Sequence, residues 1–189
     1  MDDRDTEQLP TNSAPELRNR REVTADEAKA LGHPLRLRIL RLCRQHELTN
    51  KQLADRLGRD PGTVLYHVRH LVDVGFLEQA PVRSGDSGAL EKPYRTATDT
   101  WGLSVPPATT EPEGAIAPIQ AFQDELREAG SNSVQTYARF MLHLSPDDIA
   151  ELDRRICAVL DEYVETEEAR RDQPVYGGIF VLHRLADED

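Results

Sequence analysis

Cysteine is nearly absent from this sequence: Cys43 and Cys157, far apart, are the only two in 189 residues. So small a supply excludes a disulfide framework and points to a reducing, cytoplasmic compartment. No apolar run approaches the roughly 18 residues that a bilayer span requires, and Met1-Asp2-Asp3-Arg4-Asp5 lacks the basic start of a secretory signal. A soluble chain without a membrane partner is expected. There is no nucleophile elbow, phosphate-binding glycine loop, metal-protease histidine pair or CxxC, so neither catalysis nor a bound cofactor is expected. Positive charge is also short, with 23 Lys+Arg against 34 Asp+Glu and a net charge of −11. That balance argues against a polyanion partner for the chain as a whole.

The charge is unevenly placed, however. Thr24 to Thr98 carries 12 Lys+Arg against 9 Asp+Glu, a net +3, which leaves −14 for the remaining residues. Charges more than about 8–10 Å apart in physiological salt are largely screened, so a local basic face can hold phosphate on an acidic protein.

The basic segment is organised around Leu48 to Leu71. Leu53, Ala54 and Leu57 recur at helical spacing, and Val64, Val68 and Leu71 do so again after a break. Gly58 stands where the first helix should stop, since a residue without Cβ enters the left-handed cap conformation at little cost. Asp60 is placed to cap a second helix whose first position, Pro61, needs no amide hydrogen. Two helices joined by so short a Gly-containing turn form a helix-turn-helix candidate.

Upstream, Thr24-Ala25-Asp26-Glu27 reads as a capping box that opens a helix through Leu31. Gly32-His33-Pro34 ends it, and the next helix starts at Pro34. Its inward face carries Leu35, Ile39, Leu42 and Cys43, which makes Cys43 a small core residue. Arg36, Arg38, Arg41 and Arg44 fall mostly off that face, where a solvated or phosphate-supporting role is expected. Downstream, Gly75 is a helix-stop signal, Phe76 to Arg83 and Leu90 to Ala97 have strand character, and Ser84 to Gly88 is the turn between them. Three helices followed by a β-hairpin make a winged helix.

Ala30-Leu31-Gly32-His33-Pro34-Leu35-Arg36-Leu37-Arg38-Ile39-Leu40, then Thr63-Val64-Leu65-Tyr66-His67-Val68-Arg69-His70-Leu71, then Gly75-Phe76-Leu77-Glu78, resembles the ArsR-type winged-helix transcriptional regulators over about residues 24 to 98. The resemblance implies a homodimer that binds an operator in double-stranded DNA and represses it. The helix from Asn50 to Leu57 lacks the thiolate pair often carried by the metal-sensing members. The later helices also lack the familiar Asp/His plus His/Glu ligand set, so no metal is expected.

If Val64, Val68 and Leu71 face inward, then Gly62, Thr63, Tyr66, Arg69 and His70 face outward. An α-helix fits the major groove, where each base pair presents a distinct donor and acceptor pattern. Thr63 and Tyr66 are the candidates for base contact. Arg69 would meet a guanine or a phosphate, and Gly62 would let the backbone approach. Lys51 and Gln52, near the start of the preceding helix, are placed to touch the DNA backbone, and Arg83 and Lys92 at the base of the wing suit the edge of a duplex. His67 and His70 lie three apart, but two ligands do not make a metal site. His67 sits at the margin of the inward face, where a local hydrogen bond is expected.

The remaining organisation follows from composition. Residues 1–22 read as a mobile polar arm in which Arg18, Arg20 and Arg21 are solvated or reach DNA. Residues 23–98 form the winged helix and 99–114 a Pro-rich linker. Residues 115–189 form an α+β region for dimerisation, with a possible role in sensing a small-molecule effector. In that last region Ile116 to Ala129 reads as a helix, Val134 to Leu144 as a strand by a narrow margin, and Ser145-Pro146-Asp147-Asp148 as the start of a helix running to about Ala169. Val175 to His183 has the clearest strand character of the chain. Tyr137, Phe140, Tyr163, Tyr176 and Phe180 are candidates to line an effector pocket or a core. The fold class is mainly α with a small β component. The expected function is a sequence-specific DNA-binding regulator, and the alternative is a winged-helix protein-interaction module.

Overall fold

The computed structural model describes residues 20–85, 88–104 and 112–186. The described residues divide into two compact units, 20–138 with 176–186, and 139–175. Helices dominate and the sheets are small, so the class is α+β as the sequence suggests.

The first unit runs β1 (Arg21–Glu22), α1 (Ala25–Leu31), α2 (Pro34–Gln45), β2 (Leu48–Thr49), α3 (Asn50–Leu57), α4 (Pro61–Asp73), β3 (Leu77–Gln79), β4 (Arg83–Ser84), β5 (Leu90–Glu91), β6 (Pro93–Thr96), β7 (Leu103–Ser104), α5 (Pro112–Ala115) and α6 (Ala117–Ala129). Its helices begin where the caps dictate. Thr24 and Glu27 close the capping box of α1, Thr49 and Gln52 that of α3, and Asp60 accepts the Thr63 N–H at 3.0 Å to start α4. Gly58 ends α3 in the left-handed region at φ 59°. At the start of α2 the His33 ring itself is the cap, its Nδ1 accepting the Leu35 N–H, a role that its position between Gly32 and Pro34 did not announce.

The core closes on Ile39 of α2, Leu53 of α3, Val64, Val68 and Leu71 of α4, and Phe76, all fully buried. Cys43 joins it as expected, and burial pushes its thiol up to about 12. Three strands back this core in the order β2-β6-β3, antiparallel, with Tyr94 of β6 opposite both Leu48 and Gln79. The two-residue β2 is too short to show a period-two pattern, which is why the sequence did not reveal it. β4 and β5 pair as the outer hairpin.

Two expectations change here. The α2 arginines are not a solvated row, because α6 packs along that side of α2. Arg38, only 4% exposed, pairs with Glu128 and Asp124 of α6. Arg41 pairs with Glu125 at 2.8 Å, and burial raises the Glu125 carboxyl while Arg41 opposes that shift. Arg36 is buried and donates to the Lys29 carbonyl at 2.7 Å. Arg41 stays partly exposed, and Arg44 is exposed and paired with Asp99.

Likewise, the inner end of the expected arm belongs to the fold. β1 pairs in parallel with β7, the Arg20 guanidinium sits 4.7 Å over the Trp101 ring, and Arg21 grips the Glu27 carboxylate, holding it down at about 2. Residues 1–19, with Arg18, and 105–111 of the expected linker lie outside the described residues.

The second unit contains α7 (Pro146–Glu165), opened by the Ser145–Asp148 capping box, and a 3-10 turn at Glu167–Arg170. The helix therefore ends earlier than expected. Among the described residues, Val134 to Leu144 and Val175 to His183 lie in no ladder or bridge, which differs from the strands expected there. Their side chains have β-propensity, but a strand exists only when a neighbour completes its hydrogen bonds.

Candidate nucleic-acid interface

The candidate interface centres on α4, whose placement is fixed from three sides. Asp60 and Pro61 set its first turn. Asn50 of α3 donates from Nδ2 to the Pro61 carbonyl at 2.9 Å, tying the starts of the two helices together. The buried row Val64, Val68 and Leu71 holds one face against the core, so the opposite face is presented.

Tyr66 stands on that face, 69% exposed, with its ring edge-on to His67 at 5.2 Å. Gly62, Thr63 and Arg69 are also exposed. A Cβ at Gly62 would stand 3.0 Å from Asp60 Oδ1, so glycine here also leaves room for the cap carboxylate.

His70 is less open than its neighbours on this face. It is half-buried, its Nε2 has no hydrogen-bond partner among the described residues, and its neighbours in the electrostatic field are Arg36, Asp73, Lys29 and Asp26. At 100° per residue His70 lies only about 40° from Tyr66, so its half-burial comes from the α1 and α2 residues beside it and not from the period. His67 is more buried than expected, 7% exposed, and lies against the His33 ring with centroids 4.4 Å apart. Its Nδ1 is likewise unpartnered among the described residues, so the expected local hydrogen bond is absent there. Burial, with His33 and Arg36 adding to it, lowers its pKa to about 4.

Around α4 the other predicted residues are less free than their spacing suggested. Lys51 is exposed and bonded to Asp55 at 2.8 Å, a surface pair that a phosphate can replace. Gln52 commits its Oε1 to the Thr49 N–H, which leaves only its NH2 for a partner. Arg83 is held by Glu91 at 3.1 Å and reaches the Glu47 carbonyl at 3.3 Å, so it braces the hairpin rather than projecting from it. Lys92 is exposed.

Two residues were missed. Arg59, exposed in the turn between α3 and α4, borders with Thr63, His33 and Arg38 a cleft of about 480 Å3 beside the start of the reading helix. A basic residue between Gly58 and Asp60 was the signal for it. Leu90, 76% exposed on the outer hairpin, presents an apolar side chain there, and no charge or motif pointed to it. Of the aromatic residues expected to line an effector pocket or a core, Tyr137, Tyr163 and Tyr176 are largely exposed.

This arrangement is a capped two-helix unit with an outward second helix. The family model of a helix-turn-helix domain matches residues 31–80, which covers α2, α3, α4 and β3. The chain thus carries a DNA-binding helix-turn-helix domain of the kind found in transcription regulators. No curated protein matches it. No helix among the described residues is long and apolar enough to cross a membrane.

Proposed function

We propose that the protein is a sequence-specific winged-helix regulator, similar to the ArsR type, that binds a palindromic operator as a homodimer in the cytoplasm and represses by occupying it. It acts without catalysis or a cofactor. The observation that carries this reading is the outward face of α4, on which Tyr66, Arg69 and Thr63 lie opposite a wholly buried Val64-Val68-Leu71 row. With α4 in the major groove, Tyr66 and Thr63 meet base edges, and Arg69 meets guanine or a phosphate. Lys51 and the first turn of α4 hold backbone phosphates, while Lys92 and Arg59 add positive charge at the margins. Two copies place their reading helices about 34–36 Å apart, one helical turn of DNA.

The test is selection of bound duplexes from a random-sequence pool at near-physiological salt. A two-fold symmetric motif is the expected result. Tyr66→Ala should flatten the base preference, and Arg69→Ala should cost about 1–3 kcal/mol if it reads a base. Salt-sensitive retention with no enriched motif would overturn the operator reading and favour a protein-interaction module.

A further inference from the structure

Thr24, Thr49 and Asp60 cap α1, α3 and α4 with side-chain oxygens, but α2 is capped by a nitrogen. The His33 Nδ1 accepts the Leu35 N–H at 3.2 Å. An imidazole nitrogen accepts only through its lone pair, and a proton takes that same lone pair. Capping and protonation at Nδ1 therefore exclude each other. The neutral capping ring carries its one proton on Nε2, and a second proton leaves the first turn of α2 without this acceptor.

The ring also stands where a charge is poorly received. It lies against His67 of α4 with centroids 4.4 Å apart, and His67 is 7% exposed. Burial, with the Arg36 guanidinium adding to it, holds His33 below the ordinary histidine range, a bond to its own backbone opposing the shift. Burial, then His33, Arg36 and His70, lowers His67 likewise. The neighbouring elements add cations here, Arg38 from α2 and Arg59 from the turn before α4, both on the cleft that His33 and His67 border. Asp124 of α6 borders the same cleft, but its carboxylate already meets Arg38 at 3.6 Å and Arg127 at 2.5 Å. Lys29 and Asp26 of α1, with Asp73 of α4, act on His70. An imidazolium at His33 thus loses a hydrogen bond and faces like charges across the contact with α4.

We propose that His33 is a proton-labile cap: in mildly acidic solution its imidazolium uncaps α2, presses on His67 and loosens the seat of α4, so that sequence-specific duplex binding is lost. The consequence for DNA rests on the proposed function; the cap itself stands without it.

The test uses the full-length chain. At pH 7, nitrogen NMR of the histidine rings should find His33 protonated on Nε2 and not on Nδ1. From pH 7 to 5, hydrogen-exchange protection of the Leu35 amide and of the α4 amides around His67, corrected for intrinsic rate, should fall by about tenfold or more, since each unit of lowered pKa is worth tenfold in the opening equilibrium. His33→Asn keeps an uncharged acceptor at the cap and should hold the Leu35 protection constant over that range. Duplexes enriched from a random pool at pH 7 should lose their enrichment at pH 5, and a chain with both His33→Asn and His67→Gln should keep it. A His33 ring protonated on Nδ1 at pH 7 overturns the proposal, as does protection that does not change with pH. An equal loss at Ile39 and Phe76 in the core would be global unfolding and overturns it too. These readings come from the wild-type chain, so a variant that fails to fold does not blunt them. Enrichment that survives at pH 5 despite the lost protection overturns the consequence for DNA. No motif at pH 7, with His33 behaving as expected, removes the operator reading and leaves the cap.

Discussion

The helix-turn-helix region and the segment around α7 are both helical, both capped by Ser/Thr/Asp side chains, and both patterned with an apolar stripe. They differ in what the stripe meets. In the first, Leu53, Val64, Val68, Leu71 and Phe76 meet one another across α3, α4 and the hairpin, and none retains meaningful exposure. In the second, Ile149, Val159, Leu160 and Tyr163 of α7 remain exposed. Amphipathic patterning therefore specifies a helix and its buried side, but it does not specify whether the covering surface comes from the same chain. Local capping energies, about 1 kcal/mol each, are similar in the two places. Tertiary burial separates them.

The most direct way to break this comparison is to remove a core side chain from the closed region. Phe76→Ala should cost about 3–5 kcal/mol, read as a lower urea midpoint, whereas Val159→Ala should change the stability of the monomer by less than about 0.5 kcal/mol. A comparable loss at Val159 in the monomer would show that α7 has a core of its own after all.

The next effect in size concerns the turn. Gly58 is held at φ 59°, and any side chain there enters the left-handed region at about 1–2 kcal/mol. Gly58→Ala should thus lower thermal stability more than Asp60→Ala, which removes a cap worth about 1 kcal/mol. If Gly58→Ala were neutral, the geometry of the two-helix turn would be wrong.

A smaller, pH-dependent effect distinguishes the regions by their histidines. The folded His67 pKa of about 4 lies below the ordinary 6.5, chiefly through burial. The unfolded chain binds more protons between those values, so stability is full above pH ~6.5 and falls as pH drops toward 4. His33 and His70 shift in the same direction, also through burial. The charged groups around the set are Arg36 and Lys29, which oppose protonation, and Asp26 and Asp73, which favour it. Urea midpoints measured from pH 7 to 5, above the range of most carboxylates, should decline, and His67→Gln should flatten the decline. A midpoint independent of pH over that range would remove His67 from the buried set.

The smallest effect is expected at Lys51. Its exposed pair with Asp55 contributes only about 0.3–0.5 kcal/mol, so Lys51→Ala should barely change stability. It should instead lower the slope of log affinity against log salt by about 1 if Lys51 holds a phosphate. An unchanged slope would place Lys51 off the DNA.

Much of the closed region was legible because its signals are local. Thr24 with Glu27, Gly58, and Asp60 with Pro61 each determine conformation within four residues, and the structure places every one as read. The outward placement of Tyr66 and Arg69 followed from the period of the helix. His70 differed because the period, which sets it about 40° from Tyr66, says nothing of the neighbouring α1 and α2 residues that half-cover it. Arg38 and Arg41 differed because α6, distant in sequence, supplies Glu128 and Glu125 and pairs with them, and Arg36 because it is buried with its guanidinium on the Lys29 carbonyl. Arg83 lost its expected freedom to Glu91 across the hairpin.

By itself, then, the sequence determined where the helices of the closed region begin, where α3 ends, and which side of α4 is apolar. Those properties depend on backbone conformation and side-chain spacing over a few residues. Only the tertiary structure decided the pairing of Arg38 and Arg41 with α6, the burial of His67 against His33, and, among the described residues, that Val134 to Leu144 and Val175 to His183 lie in no ladder. Each of these depends on a partner far along the chain or outside it, and a strand or a buried charge is stable only when that partner is present.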